Sequence, residues 1–297
     1  MNVAFLSILG LAALASSAPD PAPDPASAAF AAAVDAAARE AGGAAVGVAV
    51  VHLESGRRLS FRGGERFQMA SVFKVPVAIA VLGAVEKGAL RLDEEVEIRP
   101  SDRREVGPLY DEWKPGMRVT VSRMVDVMLV FSDNTAADKL CALLGGPQEV
   151  EMDLAARGVA GVRVSLDEKG MGAAMKKNLA AFESGRENGA SPDAFAALLV
   201  RLFRGELLSR ASTDRILDSM RRCKTGDRRL RAGLPKGTQV FDKTGTVRSC
   251  SNDAGILTLP DGTHLVVAVF ARGGRDAAAR DDTIARVARA VWRAFTT

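Results

Sequence analysis

Residues 255–271 of the chain read GILTLPDGTHLVVAVFA, two apolar runs on either side of the turn-forming residues 260–263. Proline, aspartate and glycine at adjacent positions are typical of a tight turn. The apolar runs are rich in β-branched residues, which favour strands. This stretch therefore predicts two neighbouring antiparallel strands, over residues 255–259 and 264–271.

The same kind of pattern recurs at the other end of the chain, and helical patterns lie between. Residues 45–53, 58–62 and 239–242 predict further strands, the first two joined by a turn at 54–56. An alanine-rich helix over 27–41 and a helix with one apolar face over 284–295 predict helices at the two ends. Inner helices are predicted over 71–86, 121–131, 134–144 and 193–203, the last beginning at Ser191-Pro192. Residues 169–190 show little periodicity and predict no regular structure.

These elements predict an α+β fold in which an antiparallel sheet is flanked by the terminal helices and an all-helical region is inserted between its strands. We expect a catalytic domain over residues 27–297. Its sheet part comprises 27–68 and 213–297, and its helical part 69–212.

The composition excludes some classes of partner. The net charge is +4 over 297 residues, and the basic residues are scattered along the chain. Nucleic-acid binding needs a concentrated basic stripe. We therefore expect no nucleic-acid partner.

Residues 1–15 have the features of a secretory signal peptide. The apolar run from residue 3 to 15 is too short to span a bilayer, and Ala13-Leu14-Ala15 fits a small-residue cleavage pattern. Met1-Asn2 lacks the usual basic residue, so a buried N-terminal helix is the alternative. Residues 16–26 predict an extended proline-rich linker. With no cysteine after the apolar run, we expect no membrane anchor and a periplasmic or secreted protein.

Cysteine and histidine usage limits the chemistry further. Cys141, Cys223 and Cys250 are far apart in sequence and lack metal-ligand spacing, so either one disulfide with a free thiol or no disulfide is expected. His52 and His264 are the only histidines, and each lies in a strand-like run. We therefore expect no Ser-His-Asp triad, no metal site and no cofactor.

The first candidate catalytic motif is Ser71-Val72-Phe73-Lys74, at the start of an otherwise apolar helix. Backbone N–H groups at a helix N-terminus can stabilise a developing oxyanion. A lysine three residues on shares the helix face and can act as a general base if its surroundings favour the neutral amine. Taken alone, the motif is also explained by a capping serine and a lysine that reaches the surface.

Two further polar triplets break apolar patterns. Ser132-Asp133-Asn134 separates two predicted helices, where helix capping is the ordinary explanation. Lys243-Thr244-Gly245 is predicted to leave a strand, whereas Lys224-Thr225-Gly226, which has the same three letters, follows the helical pattern at 212–220. A strand edge can present lysine and threonine to a carboxylate on a flat acyl substrate. We therefore select Lys243 and not Lys224.

Taken together, the motifs S-x-x-K, S-D-N and K-T-G, in this order, resemble those of class A β-lactamases and penicillin-binding proteins. The resemblance extends over nearly the whole chain after the linker. Segments that are similar to class A segments include 46–50, 65–67, 91–94, 232–235 and 252–253.

The resemblance implies a mechanism in which Ser71 attacks the lactam carbonyl and Lys74 takes its proton. Ser132 would relay a proton to the leaving nitrogen, while the backbone N–H groups of Ser71 and Thr246 would form the oxyanion hole. Glu168, on the segment corresponding to the omega loop, would be the base for deacylation.

The resemblance also implies a binding site for the substrate, a small-molecule β-lactam. Asn134 would hold the side-chain amide of the substrate. Its carboxylate would be bound by the 243–246 segment and a second positive charge, the residues being Lys243, Thr244, Gly245, Thr246 and Arg248. We expect the protein to act as a monomer.

The omega-loop segment departs from the family pattern in several places. Glu168 followed by Met171 resembles the extended-spectrum branch. However, Gly172 stands where many class A enzymes have an asparagine that helps to hold the hydrolytic water. Leu166 stands where many have an arginine that pins the loop, and residues 171–192 are longer than usual. Glu183 and Glu187 are the alternative bases.

These departures leave two alternatives to β-lactam hydrolysis. One is a D-alanyl-D-alanine carboxypeptidase or penicillin-binding protein, which deacylates penicillin slowly. The other is a β-lactam receptor that is acylated without turnover. Glu168 and the lack of a visible anchor or partner domain favour the hydrolase.

Overall fold

The computed structural model describes residues 25–296, and the predicted signal peptide and most of the predicted linker lie outside this range. The helices and strands alternate irregularly along the chain. The helices are α1 (Pro25–Glu40), α2 (Lys74–Glu86), α3 (Pro108–Asp111), α4 (Val121–Val130), α5 (Asn134–Leu144), α6 (Pro147–Ala156), α7 (Glu168–Lys177), α8 (Leu179–Glu183), α9 (Pro192–Phe203), α10 (Arg210–Arg221) and α11 (Ala277–Thr296). The strands are β1 (Ala45–His52), β2 (Arg58–Phe61), β3 (Phe67–Gln68), β4 (Glu95–Glu97), β5 (Arg118–Thr120), β6 (Gly189–Ala190), β7 (Val240–Val247), β8 (Cys250–Thr258) and β9 (His264–Arg272).

The main sheet has five antiparallel strands in the order β2-β1-β9-β8-β7, with β7 at one edge. Because side chains alternate between the two faces of a strand, each face covers its own core. Val267 and Val269 pack with the terminal helices α1 and α11, whereas Val266 and Ala268 pack with the helical region. The predicted α+β architecture, with terminal helices against an antiparallel sheet, is confirmed. The division of the domain at residues 69 and 213 stays a prediction.

The inner helices surround α2. Every residue of α2 from Lys74 to Gly83 is buried, as expected for a helix that is apolar on all sides. Helix α5 has the predicted bounds because its ends are capped: the Asp133 carboxylate accepts a hydrogen bond from the Ala136 N–H (2.8 Å), and Gly145 ends the helix at φ 104°.

Several local predictions were wrong, and the structure gives the reasons. Helix α1 begins at Pro25, two residues inside the predicted linker, since proline is tolerated in a first helical turn. Residues 169–190 contain most of α7, all of α8 and the strand β6, and the two helices are capped at their N-termini by Asp167 and Asn178. Ser71 lies in a 3₁₀ turn, Ala70–Phe73, that leads into α2. Lys243 lies inside β7, because pairing with β8 extends the strand to Val247.

The cysteines and the surface add two findings. Cys141, Cys223 and Cys250 are free and buried. No helix within residues 25–296 has the length and apolar character needed to cross a membrane.

Candidate active site

The segment before Ser71 is fixed by contacts with the edge of the sheet. The Asn252 side chain on β8 donates to the carbonyl oxygens of Gln68 (2.7 Å) and Met69 (2.9 Å). Gly245 on β7 passes so close that a Cβ there would lie 2.5 Å from the Met69 carbonyl oxygen. Strand β7 and the turn that bears Ser71 are therefore packed backbone to backbone.

The Lys74 ammonium group lies at the centre of the site. It is fully buried and donates hydrogen bonds to Ser71 Oγ (3.1 Å), Ser132 Oγ (3.2 Å) and Asn134 Oδ1 (2.5 Å). It also donates to the Ser132 carbonyl oxygen (2.7 Å) and forms an ion pair with Glu168 Oε1 at 2.9 Å. Four candidate residues from three separate segments of the chain thus all contact the Lys74 side chain.

The Ser132 hydroxyl oxygen lies between two lysines. Lys243 Nζ donates to it at 3.0 Å, opposite the contact from Lys74. An ammonium group can only donate, so both contacts use the lone pairs of the hydroxyl oxygen and leave its proton free for another acceptor. Ser132 is therefore arranged as a proton donor.

Lys243 is fully buried and close to a second positive charge. Burial, and after it the charge of Lys74, lower the pKa of Lys243 to about 8. Its other hydrogen bond is to the Thr244 carbonyl oxygen (2.8 Å). A buried cation with so few partners can bind an anion.

The remaining candidates on β7 lie beside Lys243. Thr244 and Thr246 follow Lys243 on β7, the strand at the edge of the sheet. Thr246 is exposed, and Arg248 is exposed in the turn that leads to β8. Asn134, at the start of α5, holds the neighbouring loop as well, because its Nδ2 donates to the Glu105 carbonyl oxygen (2.8 Å).

Glu168 is the residue whose carboxylate contacts Lys74, and its side chain is 13% exposed. It begins α7, where the Asp138 carboxylate accepts the Glu168 N–H (2.6 Å) and the Lys169 N–H (3.3 Å). Burial, and after it the charge of Asp167, raise the pKa of Asp138 to about 6, so this group is ionised at neutral pH. Arg104 forms the matching ion pair with Asp138 at 2.6 Å.

The alternative bases lie elsewhere. Glu183 Oε1 accepts the Ser249 N–H (3.3 Å), and Glu187 is exposed.

The omega-loop departures have structural counterparts. Asn188 holds the loop at Leu166, where its Oδ1 accepts the Leu166 N–H (2.8 Å) and its Nδ2 donates to the Leu166 carbonyl oxygen (2.7 Å). A Cβ built at Gly172 meets nothing within 4 Å, so the structure has room for a side chain there. Asn188 and Asp138 were not identified from the sequence, since nothing in their local pattern marks them as loop anchors.

Strained backbone is concentrated around these residues. Within residues 25–296, five non-glycine residues have positive φ, and four of them adjoin the site. They are Ala70 (46°), Val106 (77°), Ser132 (60°) and Arg248 (42°). Ala70 precedes Ser71, and the Val106 carbonyl oxygen accepts the Asn134 N–H (3.1 Å). Such conformations cost about 1–3 kcal/mol each and persist only where surrounding contacts impose them.

Arg229 is a residue of the site that the sequence did not reveal. It is buried, and it donates to the carbonyl oxygens of Gly245 (3.0 Å) and Asn252 (2.9 Å) and to Thr246 Oγ1 (2.6 Å). Asp281 on α11 balances its charge at 2.8 Å. Arg229 therefore holds β7 and β8 together at Gly245 and Asn252, in the part of β7 that also carries Lys243.

Comparisons with known proteins show which family the chain is similar to. Residues 29–295 match the model of a family described as "Beta-lactamase enzyme family". The chain is 30% identical to β-lactamase VEB-1 of Pseudomonas aeruginosa over 261 residues, which cover 84% of this chain and 85% of that protein. A solved β-lactamase structure from Chitinophaga pinensis is similar with a TM-score of 0.81 and 34% identity, covering 90% of this chain and 98% of that one. A variant of PBP-A, described as an acyl-enzyme complex with penicillin G, matches at a TM-score of 0.79 and 29% identity, covering 90% and 96% of the two chains.

Proposed function

The chain belongs to the class A β-lactamase family, and from that premise we propose that it hydrolyses β-lactam antibiotics through an acyl-enzyme formed on Ser71. The observation that carries the proposal is the Lys74 side-chain nitrogen, which contacts Ser71, Ser132 and Glu168 together. A nucleophile, a proton donor and a carboxylate within reach of one base are the parts that acyl transfer and hydrolysis require.

In the acylation step, Ser71 Oγ attacks the lactam carbonyl carbon, and its proton passes to Lys74, which acts here as the neutral amine. The negative charge that develops on the carbonyl oxygen is bound by the backbone N–H groups of Ser71 and Thr246. The C–N bond of the lactam then breaks, and Ser132 gives its proton to the leaving nitrogen and takes back from Lys74 the proton that came from Ser71. The two lysine contacts on Ser132 Oγ support this role because they leave the hydroxyl proton free.

In the deacylation step, Glu168 takes a proton from a water molecule that attacks the ester carbonyl. The ester C–O bond to Ser71 then breaks, the proton held by Glu168 passes to Ser71 Oγ, and the opened β-lactam is released. The support for Glu168 is its position beside Lys74, at the start of a helix fixed by Asp138. Lys243 is proposed to bind the substrate carboxylate, together with Thr244, Thr246 and the positive charge of Arg248, and Asn134 to bind the side-chain amide.

Two measurements test the proposal. The purified protein is expected to hydrolyse nitrocefin, and intact-protein mass spectrometry with benzylpenicillin is expected to show an adduct that Ser71→Ala abolishes. Ser101→Ala, which changes an exposed serine outside the site, is the control and should retain activity. An adduct that persists in Ser71→Ala would place the nucleophile elsewhere.

The similarity to PBP-A and the missing side chain at Gly172 favour one second candidate, acylation without turnover. The same experiment separates the two functions. A wild-type adduct that lasts for hours, without nitrocefin turnover, would support the receptor or penicillin-binding function instead.

A further inference from the structure

The triplet Lys224-Thr225-Gly226, which the motif comparison set aside, packs directly against the selected triplet on β7. Thr225 Oγ1 lies 2.5 Å from Thr244 Oγ1. Gly226 is close behind, since a Cβ there would lie 2.3 Å from Thr244 Cγ2. The Gly226 carbonyl oxygen accepts the Arg229 N–H (2.9 Å). The loop over residues 224–229 therefore runs along the side of β7 that presents Thr244 and Thr246.

Both threonines on that side receive a contact from this loop, and the Arg229 contact has an unambiguous direction. A guanidinium group can only donate, so Thr246 Oγ1 accepts from Arg229 and keeps its own proton free. Thr246 can then donate to an anion.

The geometry of the Thr225–Thr244 contact allows either hydroxyl group to donate, so the other neighbour of Thr225 bears on the direction. Cys223 Sγ lies 3.3 Å from Thr225 Oγ1. Burial raises the pKa of Cys223, so the thiol stays protonated, and its sulfur is a weak acceptor. Of these two neighbours, Thr244 Oγ1 is the nearer and better acceptor for the Thr225 hydroxyl proton, and donation from Thr225 leaves the Thr244 proton free for an anion.

We propose that Thr225 is a positioning residue for carboxylate recognition, which orients the Thr244 hydroxyl so that its proton is available to the substrate carboxylate. This inference rests on the proposed function. It gives the 224–226 triplet a role as the support of the anion site, in which Thr225 acts through Thr244 and does not touch the reacting atoms.

The test compares benzylpenicillin with its methyl ester, which lacks the carboxylate charge, in wild type, Thr225→Val, Thr225→Ser and Lys224→Ala. Valine keeps the shape of threonine and removes the hydroxyl group. Since one hydrogen bond is involved, Thr225→Val should raise the KM for benzylpenicillin by about three- to tenfold with kcat within about twofold. The inhibition constant of the ester, measured by competition with nitrocefin, should change by less than about twofold, because the ester gains little from the oriented proton.

Thr225→Ser keeps the hydroxyl group and should restore the wild-type KM. Lys224 is exposed, so Lys224→Ala should behave as wild type with both ligands. Melting temperatures identify any variant that is merely destabilised. An equal loss with acid and ester, or a serine variant that behaves as valine does, would overturn the role of Thr225. A wild type that hydrolyses no β-lactam would instead overturn the proposed function itself.

Discussion

Glu168→Gln is the substitution that most directly tests the two-step mechanism. Glutamine has the shape of glutamate but cannot take a proton from water. It also removes the ion pair with Lys74, whose hydrogen bonds to Ser71, Ser132 and Asn134 remain. Acylation should therefore continue, while deacylation slows.

The magnitude follows from the role of a general base. Proton abstraction by a positioned side chain contributes about 10²–10⁴-fold to a rate. We expect kcat to fall by a factor in this range, because deacylation becomes the slow step. The Glu168 side chain is only 13% exposed, so bulk water can take over only part of its role as proton acceptor.

The assay is burst kinetics with nitrocefin and benzylpenicillin, combined with intact-protein mass spectrometry. Glu168→Gln should release a burst close to one equivalent of product, followed by slow turnover, and the acyl-enzyme should accumulate at Ser71. Glu187→Gln makes the same chemical change at an exposed glutamate, one of the two alternative bases, and should turn over as wild type does. Wild-type turnover by Glu168→Gln would refute the assignment, and a burst in Glu187→Gln would move the base to that residue.

Three further predictions concern binding and the hydrolytic water. Lys243→Ala should raise KM and lower kcat/KM by about 10- to 100-fold, since a charge-assisted contact is lost, and kinetics unchanged from wild type would contradict our choice of triplet. With a pKa of about 8, Lys243 loses its charge as pH rises, so kcat/KM for benzylpenicillin should fall through pH 8; a flat profile to pH 9.5 (roughly 1.5 units above this pKa) would contradict this. An asparagine side chain fits the open space at Gly172, and one hydrogen bond from it to the hydrolytic water should speed deacylation by about three- to tenfold. Gly172→Asn should therefore show a smaller burst than the control Gly172→Ala, and equal bursts in the two variants would refute this prediction.

The sequence predicted the parts of the fold that depend on local pattern. Helix α5 has the predicted bounds because its capping residues are adjacent to it in sequence. The hairpin of β8 and β9 forms where the 260–263 turn predicts it, although β8 begins at Cys250, earlier than expected.

The errors arose where contacts distant in sequence decide the structure. Strand β7 continues through Lys243 because β8 pairs with it, and local propensity contains no information on that pairing. Helices α7 and α8 have weak apolar patterns of their own, and packing of Met171 and Phe182 into the core helps to hold them.

The candidate site shows the same division. The three motifs identified the residues around Lys74, and the structure brings Ser71, Ser132 and Glu168 together there. Arg229 escaped detection because an arginine is usually exposed, and only the folded chain shows it enclosed between the strands and Asp281. Asp138 was missed for a similar reason, since its partners are backbone N–H groups thirty residues away.

The four strained residues around the site have a consequence for how this protein can evolve. At about 1–3 kcal/mol each, their combined cost is similar in size to the roughly 5–15 kcal/mol by which a folded domain is stable. A substitution of Val106 or Arg248 that changes the specificity therefore leaves little stability that can be lost. Variants with altered antibiotic profiles should depend on secondary substitutions far from the cleft that restore stability, for example in the core between α1 and α11.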